Sequence, residues 1–341
     1  MTEPVAPALR RIIPIQPATS AAAAPSSRQR ARSLAQIGFM VVFALAPVFD
    51  LFRFDLDAGH AYLLTVPWHL GIDAFTAGEV SGAQAGLQIL LRLFLPIVLG
   101  AAAFIYTAWR WGRLYCGWLC PHFSAVETIN QLMRRASGRH SIWDKQPTPP
   151  RRPDGSPLPQ HPLWWIPTLL TAFGFAAFWA VVLLTYLLPP AEVYGNLWHL
   201  TPTRNQAIFL TAATLVLSAE FLFARHLFCR FGCAVGVFQS VAWMANRDAM
   251  VVGFRRERAA DCATCYAKGG PEHAACEGVC PMRLRPRTPK VKMFTCTQCS
   301  QCIDACATVQ QGQGRQGLLS WVEGDAARRN EAQVSLTGNR D

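Results

Sequence analysis

The stretch CTQCSQCIDAC, residues 296–306, contains four cysteines at the spacing C-x2-C-x2-C-x3-C. A loop with this spacing can aim three successive sulfurs at three irons of one [4Fe-4S] cluster, and its fourth cysteine reaches a neighbouring cluster. The spacing therefore favours metal or cluster ligation over a framework of disulfides.

A second cysteine run precedes this stretch, with the spacing C-x2-C-x10-C-x3-C and a long insert, YAKGGPEHAA, before its third cysteine. Bacterial ferredoxins pair two such runs in a crossed scheme. That scheme assigns Cys262, Cys265, Cys276 and Cys306 to cluster one, and Cys280, Cys296, Cys299 and Cys302 to cluster two. Structural zinc sites are the alternative, because C-x2-C pairs also make them.

The composition predicts a membrane protein, because 51% of the residues are hydrophobic and the mean hydropathy is +0.18. Crossing a bilayer takes about 20 apolar residues. A stretch interrupted by Pro67, His60 to Phe75, is predicted to be re-entrant or interfacial. Four segments are predicted to span: Leu34 to Phe52, Leu87 to Trp109, Trp164 to Leu188, and Ala207 to Phe228.

The net charge of +11 follows the positive-inside pattern rather than the pattern of a nucleic-acid-binding face. Arginine and lysine concentrate before the first segment and in the loop 110–162. The loops 53–86 and 189–206 contain one arginine each. We therefore expect both termini and the cysteine runs to lie in the cytoplasm, and no nucleic-acid partner.

The predicted fold is an α-helical membrane protein of about four transmembrane helices with a small α+β ferredoxin-like domain. A domain this small has too little hydrophobic core to be stable without a bound metal or cluster, and the predicted clusters would stabilise it. The predicted divisions are a disordered basic tail (1–33), a four-helix transmembrane domain (34–245), a cytoplasmic two-cluster domain (246–309) and a poorly ordered C-terminal tail (310–341).

Four further cysteines form an internal repeat at the membrane edge, in LYCGWLCP (114–121) and LFCRFGCA (227–234). If the segments are helical, the i, i+4 spacing puts both sulfurs of a pair on one face. A disulfide there would be strained and would face a reducing compartment. The predicted metal ligands are Cys116, Cys120, Cys229 and Cys233. A structural role as small buried residues, an iron-sulfur site and a Cu(I) site all remain open.

Each repeat is followed by an amphipathic segment, which we expect to lie as a helix on the inner interface. Glu220 lies within a predicted span, where a carboxylate could serve a quinol proton path or simply bond a polar neighbour. His122 and His226 lie beside the cysteine pairs and could bind metal, although interfacial histidines are more often solvated or capping.

The segments RLYCGWLCP (113–121), CRFGCAVGVFQSVAWMANRDAMVV (229–252) and CTQCSQCIDAC together resemble a known family. It is the membrane-bound polyferredoxins of the CcoG, FixG or RdxA type, with NapH and the membrane part of NosR as relatives. The resemblance covers Leu34 to Trp321. It implies four-cysteine clusters in an electron-transfer protein of the bacterial cytoplasmic membrane. In the CcoG branch it also implies copper reduction for the assembly of cbb3-type cytochrome oxidase.

Three functions are consistent with these features. The first is a membrane-anchored protein with two [4Fe-4S] clusters that passes single electrons between a redox partner protein or quinol and an acceptor. The second is a copper-handling accessory protein, in which the membrane cysteines bind copper and the clusters reduce it. The third is a zinc-stabilised membrane scaffold without a redox role.

Overall fold

The computed structural model describes residues 26–145, 147–148, 150–262, 265 and 274–337. The strands are β1 (Phe52–Asp55), β2 (His60–Leu63), β3 (Val66–Trp68), β4 (Val251–Phe254) and β5 (Leu319–Val322). The helices are α1 (Ser27–Leu45), α2 (Ile72–Thr76), α3 (Gly82–Ile89), α4 (Leu95–Trp111), α5 (Leu114–Trp118), α6 (Pro121–Ser137), α7 (Trp165–Thr185), α8 (Pro190–Trp198), α9 (Arg204–Ala219), α10 (Ala234–Ala245), α11 (Ala275–Gly278), α12 (Gln301–Gln311) and α13 (Asp325–Thr337).

Three helical stretches of the described residues are long and apolar enough to cross a membrane: Gly82–Trp111, Pro162–Thr185 and Arg204–Ala224. They correspond to the second, third and fourth predicted spans. The predicted first span coincides with α1 only as far as Leu45. Arginines 28, 30 and 32 lie in the first two turns of α1 and lower its apolar character, so the count of four spans is not established.

Helix α7 lies at the centre of the helical part, packed against α6 and α9. Ala172 and Ala176 of α7 are fully buried, because their small side chains let the neighbouring helices approach closely. Many apolar side chains of α4 and α9 point outward instead, as expected of surfaces that face lipid. The shared core of α6 and α7 includes Phe123, Val126, Ile129 and Trp179.

The end of the molecule away from the soluble cysteines carries an antiparallel meander, β1-β2-β3. Its first strand is tied to the end of α7, since the Phe54 N–H donates to the Tyr186 carbonyl at 2.9 Å. The stretch His60 to Phe75, predicted to be re-entrant or interfacial, forms β2, β3 and α2. Pro67 fits there because β3 is an edge strand, which tolerates a residue without an N–H.

Two segments predicted to be tails are partly ordered structure. The C-terminal segment 310–341 contains β5, which pairs with β4 in the register Val251 opposite Val322, followed by α13. This pairing satisfies backbone groups of β4 that would otherwise be unpaired. The N-terminal tail 1–33 was also predicted too long, because α1 begins at Ser27 and Ser26 caps it by accepting from the Gln29 N–H at 3.2 Å. Residues 1–25 lie outside the described residues.

Candidate metal centres

One pocket, which we call cavity two, contains about 330 Å³ of empty space, part of it open to solvent, and is lined by Cys280, Cys296, Cys299 and Cys302. All four side chains are buried. The remaining wall is mainly apolar and includes Met282. These four cysteines are the set that the spacing scheme assigns to cluster two.

The local backbone explains how the CTQCSQC loop curls around cavity two. Gln298 and Ser300 have left-handed backbone conformations, with φ of 53° and 59°. Such residues reverse the chain direction between consecutive ligands. Ser300 immediately precedes α12, whose first turns present Cys302 and, one turn later, Cys306. One helix therefore carries a cysteine for each of two sites.

A second cavity of about 320 Å³, cavity one, is lined by Cys262, Cys265, Cys276 and Cys306. Cys276 and Cys306 are buried, whereas Cys262 and Cys265 are only partly buried. The Leu318 N–H lies 3.3 Å from the Cys306 sulfur, and the Leu284 N–H lies 3.3 Å from the Cys280 sulfur. N–H donors to sulfur are among the features that set the potential of a thiolate-bound cluster. Most of the insert between Cys265 and Cys276 lies outside the described residues.

The chemistry of these cysteines fits an inserted cationic group. Burial raises the pKa of Cys280 to about 11, and it raises the pKa of Cys276, Cys296 and Cys302 further. A thiolate in such surroundings needs a cation to offset its lost hydration, which bound iron provides. Within the described residues, no three His, Cys, Asp or Glu side chains lie close enough to hold one metal ion. The cysteines of each set surround a cavity instead, an arrangement that suits a multi-iron group.

The membrane cysteines do not lie on continuous helices, so the predicted i, i+4 helical arrangement is wrong. Cys116 is in the single turn of α5, and Cys120 is the extended residue before α6. Cys229 is in a π-helical turn, and Cys233 is the extended residue before α10. In the first motif, Pro121 prevents α5 from continuing into α6, because it lacks an N–H and fixes φ.

The fold nevertheless brings the four membrane cysteines together, at what we call the membrane cysteine site. The pKa of Cys120 is raised to about 11, mainly by burial, with contributions from the neighbouring Cys116 and Cys233. Burial, followed by the influence of Cys120, also raises the pKa of Cys229. Mutual effects of this kind require short distances between the thiols. Two motifs more than 100 residues apart therefore lie beside each other, and Arg113, which precedes the first motif, donates to the Cys229 carbonyl of the second.

The membrane cysteine site adjoins the loop that lines cavity two. The Trp118 indole N–H donates to the Gln298 carbonyl at 3.0 Å. Gly117 approaches the same loop so closely that a Cβ there would lie 2.0 Å from the Thr297 carbonyl oxygen. Only glycine allows this backbone contact. The motif between Cys116 and Cys120 is therefore a docking point for the cluster-two loop.

Helix α1 clamps this junction with polar groups. The Arg32 guanidinium pairs with the Glu127 carboxylate, and both side chains are buried. Arg32 also donates through Nε to the Gly117 carbonyl at 2.7 Å. Gln29 donates to the Cys299 carbonyl at 3.1 Å. The sequence interpretation missed Gln29 and Arg32, because both lie in the predicted disordered tail. The Ser-x-x-Gln pattern formed by Ser26 and Gln29 was the available signal that a helix starts there.

Glu220 and His122 are neighbours in the structure. The His122 Nε2 lies 3.2 Å from a Glu220 oxygen, and the imidazole ring packs against Phe221 and Phe228. Arg92, which also lies within a predicted span, is not part of this pair and donates instead to the His69 carbonyl at 2.8 Å. His122 is therefore the ion-pair neighbour of Glu220, but the contact is not a hydrogen bond and both carboxylate oxygens are buried, so it favours neither of the two predicted roles.

A family model described as "4Fe-4S binding domain" matches residues 93–140 and 205–248. These two segments contain the four cysteines of the membrane cysteine site. The match thus falls on the repeated membrane motif rather than on the eight soluble cysteines.

Two curated relatives are similar over most of this chain. "Putative electron transport protein YccM" of Escherichia coli (strain K12) is 26% identical over 236 residues, 68% of this chain and 57% of the relative. "Protein RdxA" of Cereibacter sphaeroides is 24% identical over 264 residues, 70% of this chain and 50% of the relative. The chain thus spans about half the length of the curated relatives it matches. No solved structure gives a significant match.

Proposed function

We propose that this chain, which belongs with the membrane polyferredoxins of the RdxA and YccM type, holds two [4Fe-4S] clusters and passes single electrons. The observation that carries the proposal is the lining of the two cavities. Each is surrounded by four cysteines, and the two sets are those that the crossed spacing scheme assigns.

A bound [4Fe-4S] group would supply one-electron chemistry, and the residues of the chain would set its environment. Apolar walls lower the local dielectric around the thiolates, and N–H donors such as that of Leu284 stabilise negative charge on sulfur. Cys302 and Cys306 are four residues apart on α12, so their Cβ atoms lie about 5–6 Å apart. Electrons could pass between the two sites over this short distance.

We propose the membrane cysteine site as a third metal site, at the membrane end of the same route. Its support is the proximity of the four thiols, the family model that matches both motifs, and the contact of Gly117 with Thr297. Electrons from a membrane donor such as a quinol would then pass from this site to cavity two, then to cavity one, and on to a partner protein. Binding of copper at the same thiols is the second candidate, because clustered thiolates also favour Cu(I).

We propose α1 as a fourth span, which would complete the predicted topology. Gln29, near its start, bonds residues beside cavity two, whereas Phe43, near its end, packs against Trp179 and Tyr186 near the end of α7. The helix therefore packs against α5 and α6 and extends from the loop of cavity two to the end of α7. With the arginine-rich loops inside, the clusters and both termini would lie on the cytoplasmic side of a bacterial inner membrane.

Metal and sulfide analysis of anaerobically purified protein tests this function. Two clusters predict about eight iron atoms and eight acid-labile sulfides per chain, and a third cluster predicts about twelve of each. After reduction, the clusters should give EPR signals. Zinc without sulfide would overturn the redox function in favour of a scaffold. Copper that is lost on Cys116→Ala but retained on Cys302→Ala would favour the copper-handling alternative.

A further inference from the structure

Arg113 is a buried cation for which the described residues provide few partners. It follows Gly112, whose left-handed backbone (φ 69°) ends α4 and turns the chain inward. The side chain is only 1% exposed. Its Nη2 donates to the Cys229 carbonyl at 2.5 Å, whereas Nε and Nη1 have no nitrogen or oxygen partner among the described residues. A guanidinium buried in this way is costly unless an anion lies beside it.

The surroundings of Arg113 identify that anion. Its guanidinium hydrogen-bonds the Cys116 side chain and the Cys229 carbonyl, and so contacts both membrane cysteine motifs. The Arg113 carbonyl accepts from the Gly117 N–H at 3.2 Å, and Gly117 contacts Thr297, which follows Cys296 in the lining of cavity two. Glycine at position 236 leaves the space that the guanidinium fills, since a Cβ there would lie 1.8 Å from Nη2. Arg113 thus lies between the membrane cysteine site and the cluster-two cysteines.

We propose that Arg113 is the counter-cation shared by the membrane cysteine site and cavity two, and that it raises the reduction potential of the cluster in cavity two. This inference rests on the proposed function. Four thiolates make each site anionic, and one-electron reduction adds a further negative charge. A fixed buried cation stabilises the reduced form more than the oxidised form, so its removal should lower the potential. Arg113 would therefore be a positioning and tuning residue, not a ligand.

Redox titration followed by EPR tests this inference on the full-length protein, with dithionite as the electron donor. The signal of cavity two is the one that Cys302→Ser abolishes. Arg113→Gln should shift its one-electron equilibrium about tenfold toward the oxidised form, equivalent to about 59 mV. Arg113→Lys keeps the charge and should stay close to the parent potential.

Arg110→Gln is the matched control, because it removes a positive charge from the same helix end. Arg110 is about one-third exposed and pairs with Glu323 at 2.6 Å. Its removal should leave the potential unchanged, since water screens that charge. A shift in Arg110→Gln as large as that in Arg113→Gln would overturn the inference.

The outcomes separate this inference from the function on which it rests. A parent protein without iron and sulfide would overturn both. Loaded protein with an unchanged potential in Arg113→Gln would overturn the role of Arg113 alone. If Arg113→Gln fails to assemble clusters, the potential of cavity two is measured in Gly236→Ala instead. That variant keeps the charge but displaces the guanidinium, so a lowered potential supports the inference and an unchanged one overturns it.

Discussion

Cavity one and cavity two follow the same ligand rule but have different surroundings. Around cavity two, all four cysteines are buried, and the lining loop contacts the membrane motif at Gly117 and Trp118. Around cavity one, Cys262 and Cys265 are partly exposed. Under the proposed function, this contrast places cavity two toward the membrane donor and leaves cavity one as the site for a soluble partner.

The two cavities should also differ in how much they contribute to the stability of the folded protein. Cavity two is enclosed by long-range contacts from α1, α5 and α6, so disturbing it should affect the junction of the two parts of the molecule. The contacts around cavity one join residues that are closer in the chain and more exposed to solvent, such as the ion pair of Arg287 with Glu277 at 2.6 Å. Matched changes at the two cavities should therefore differ in size.

The largest expected effect is that of removing one cysteine from each cavity. Cys302→Ser should abolish the cluster of cavity two and lower stability by several kcal/mol, because a folded metal site contributes its binding energy to folding. Cys262→Ser should remove the cluster of cavity one with a smaller loss of stability. Iron, sulfide and thermal unfolding in detergent measure both. Equal losses of stability would contradict the contrast between the cavities.

Breaking the buried ion pair beside cavity two should have the next largest effect. Glu127→Gln leaves Arg32 charged and buried, and should cost about 3–5 kcal/mol. Glu277→Gln, beside cavity one, is the matched change and should cost about 1 kcal/mol, because Arg287 is partly exposed. Denaturant unfolding of the two variants checks the difference. A smaller loss in Glu127→Gln than in Glu277→Gln would refute the clamp by α1.

A methyl group at the junction should separate the membrane motif from cavity two. Gly117→Ala should cost about 3 kcal/mol, because the new Cβ overlaps the Thr297 carbonyl. It should also slow reduction of cavity two by a membrane donor in stopped-flow measurements. Gly100→Ala is the control: it meets no atom within 4 Å and should be neutral or stabilising by about 0.5–1 kcal/mol. Unchanged stability and rate in Gly117→Ala would exclude this contact as the route.

The smallest expected effect is a pH dependence of stability that comes from two buried histidines. Burial lowers the pKa of His140 to about 2 and that of His226 to about 4. Both pKa values lie below the ordinary histidine value of 6.5, so protons bind the unfolded chain more tightly than the folded protein. The free energy of unfolding is therefore highest above about pH 6.5 and decreases as the pH falls. Between pH 6.5 and 5 the loss should be about 2 kcal/mol for each histidine.

His140→Gln tests this pH dependence, with far-UV circular dichroism to follow unfolding at pH 7 and pH 5. The variant should lose about 2 kcal/mol less than the parent on acidification. The exposed His199, replaced in the same way, is the control and should leave the acid loss as in the parent. An unchanged acid loss in His140→Gln would show that this imidazole is already charged in the folded protein.

Part of this architecture was predictable because it depends on local rules. Ligand spacing is a local constraint, so the two sets of four cysteines follow from their positions in the chain, and the cavities match them. Hydropathy is local as well, and three of the four predicted spans meet the criteria for a membrane helix. The family resemblance rested on short motifs and is confirmed by the matches to RdxA and YccM.

Other features depend on partners that are far away in the chain, and only the tertiary structure decided them. Gln29 and Cys299 are 270 positions apart, so the order of the start of α1 cannot be read from its own residues. The segment after residue 310 contains a strand only because β4 offers it an edge. By itself the sequence predicted two sets of four cysteines, and each set lines one cavity. Folding decided that the membrane cysteines meet, that Gly117 contacts Thr297, and that Arg113 is buried between two sites, because each depends on packing between distant segments.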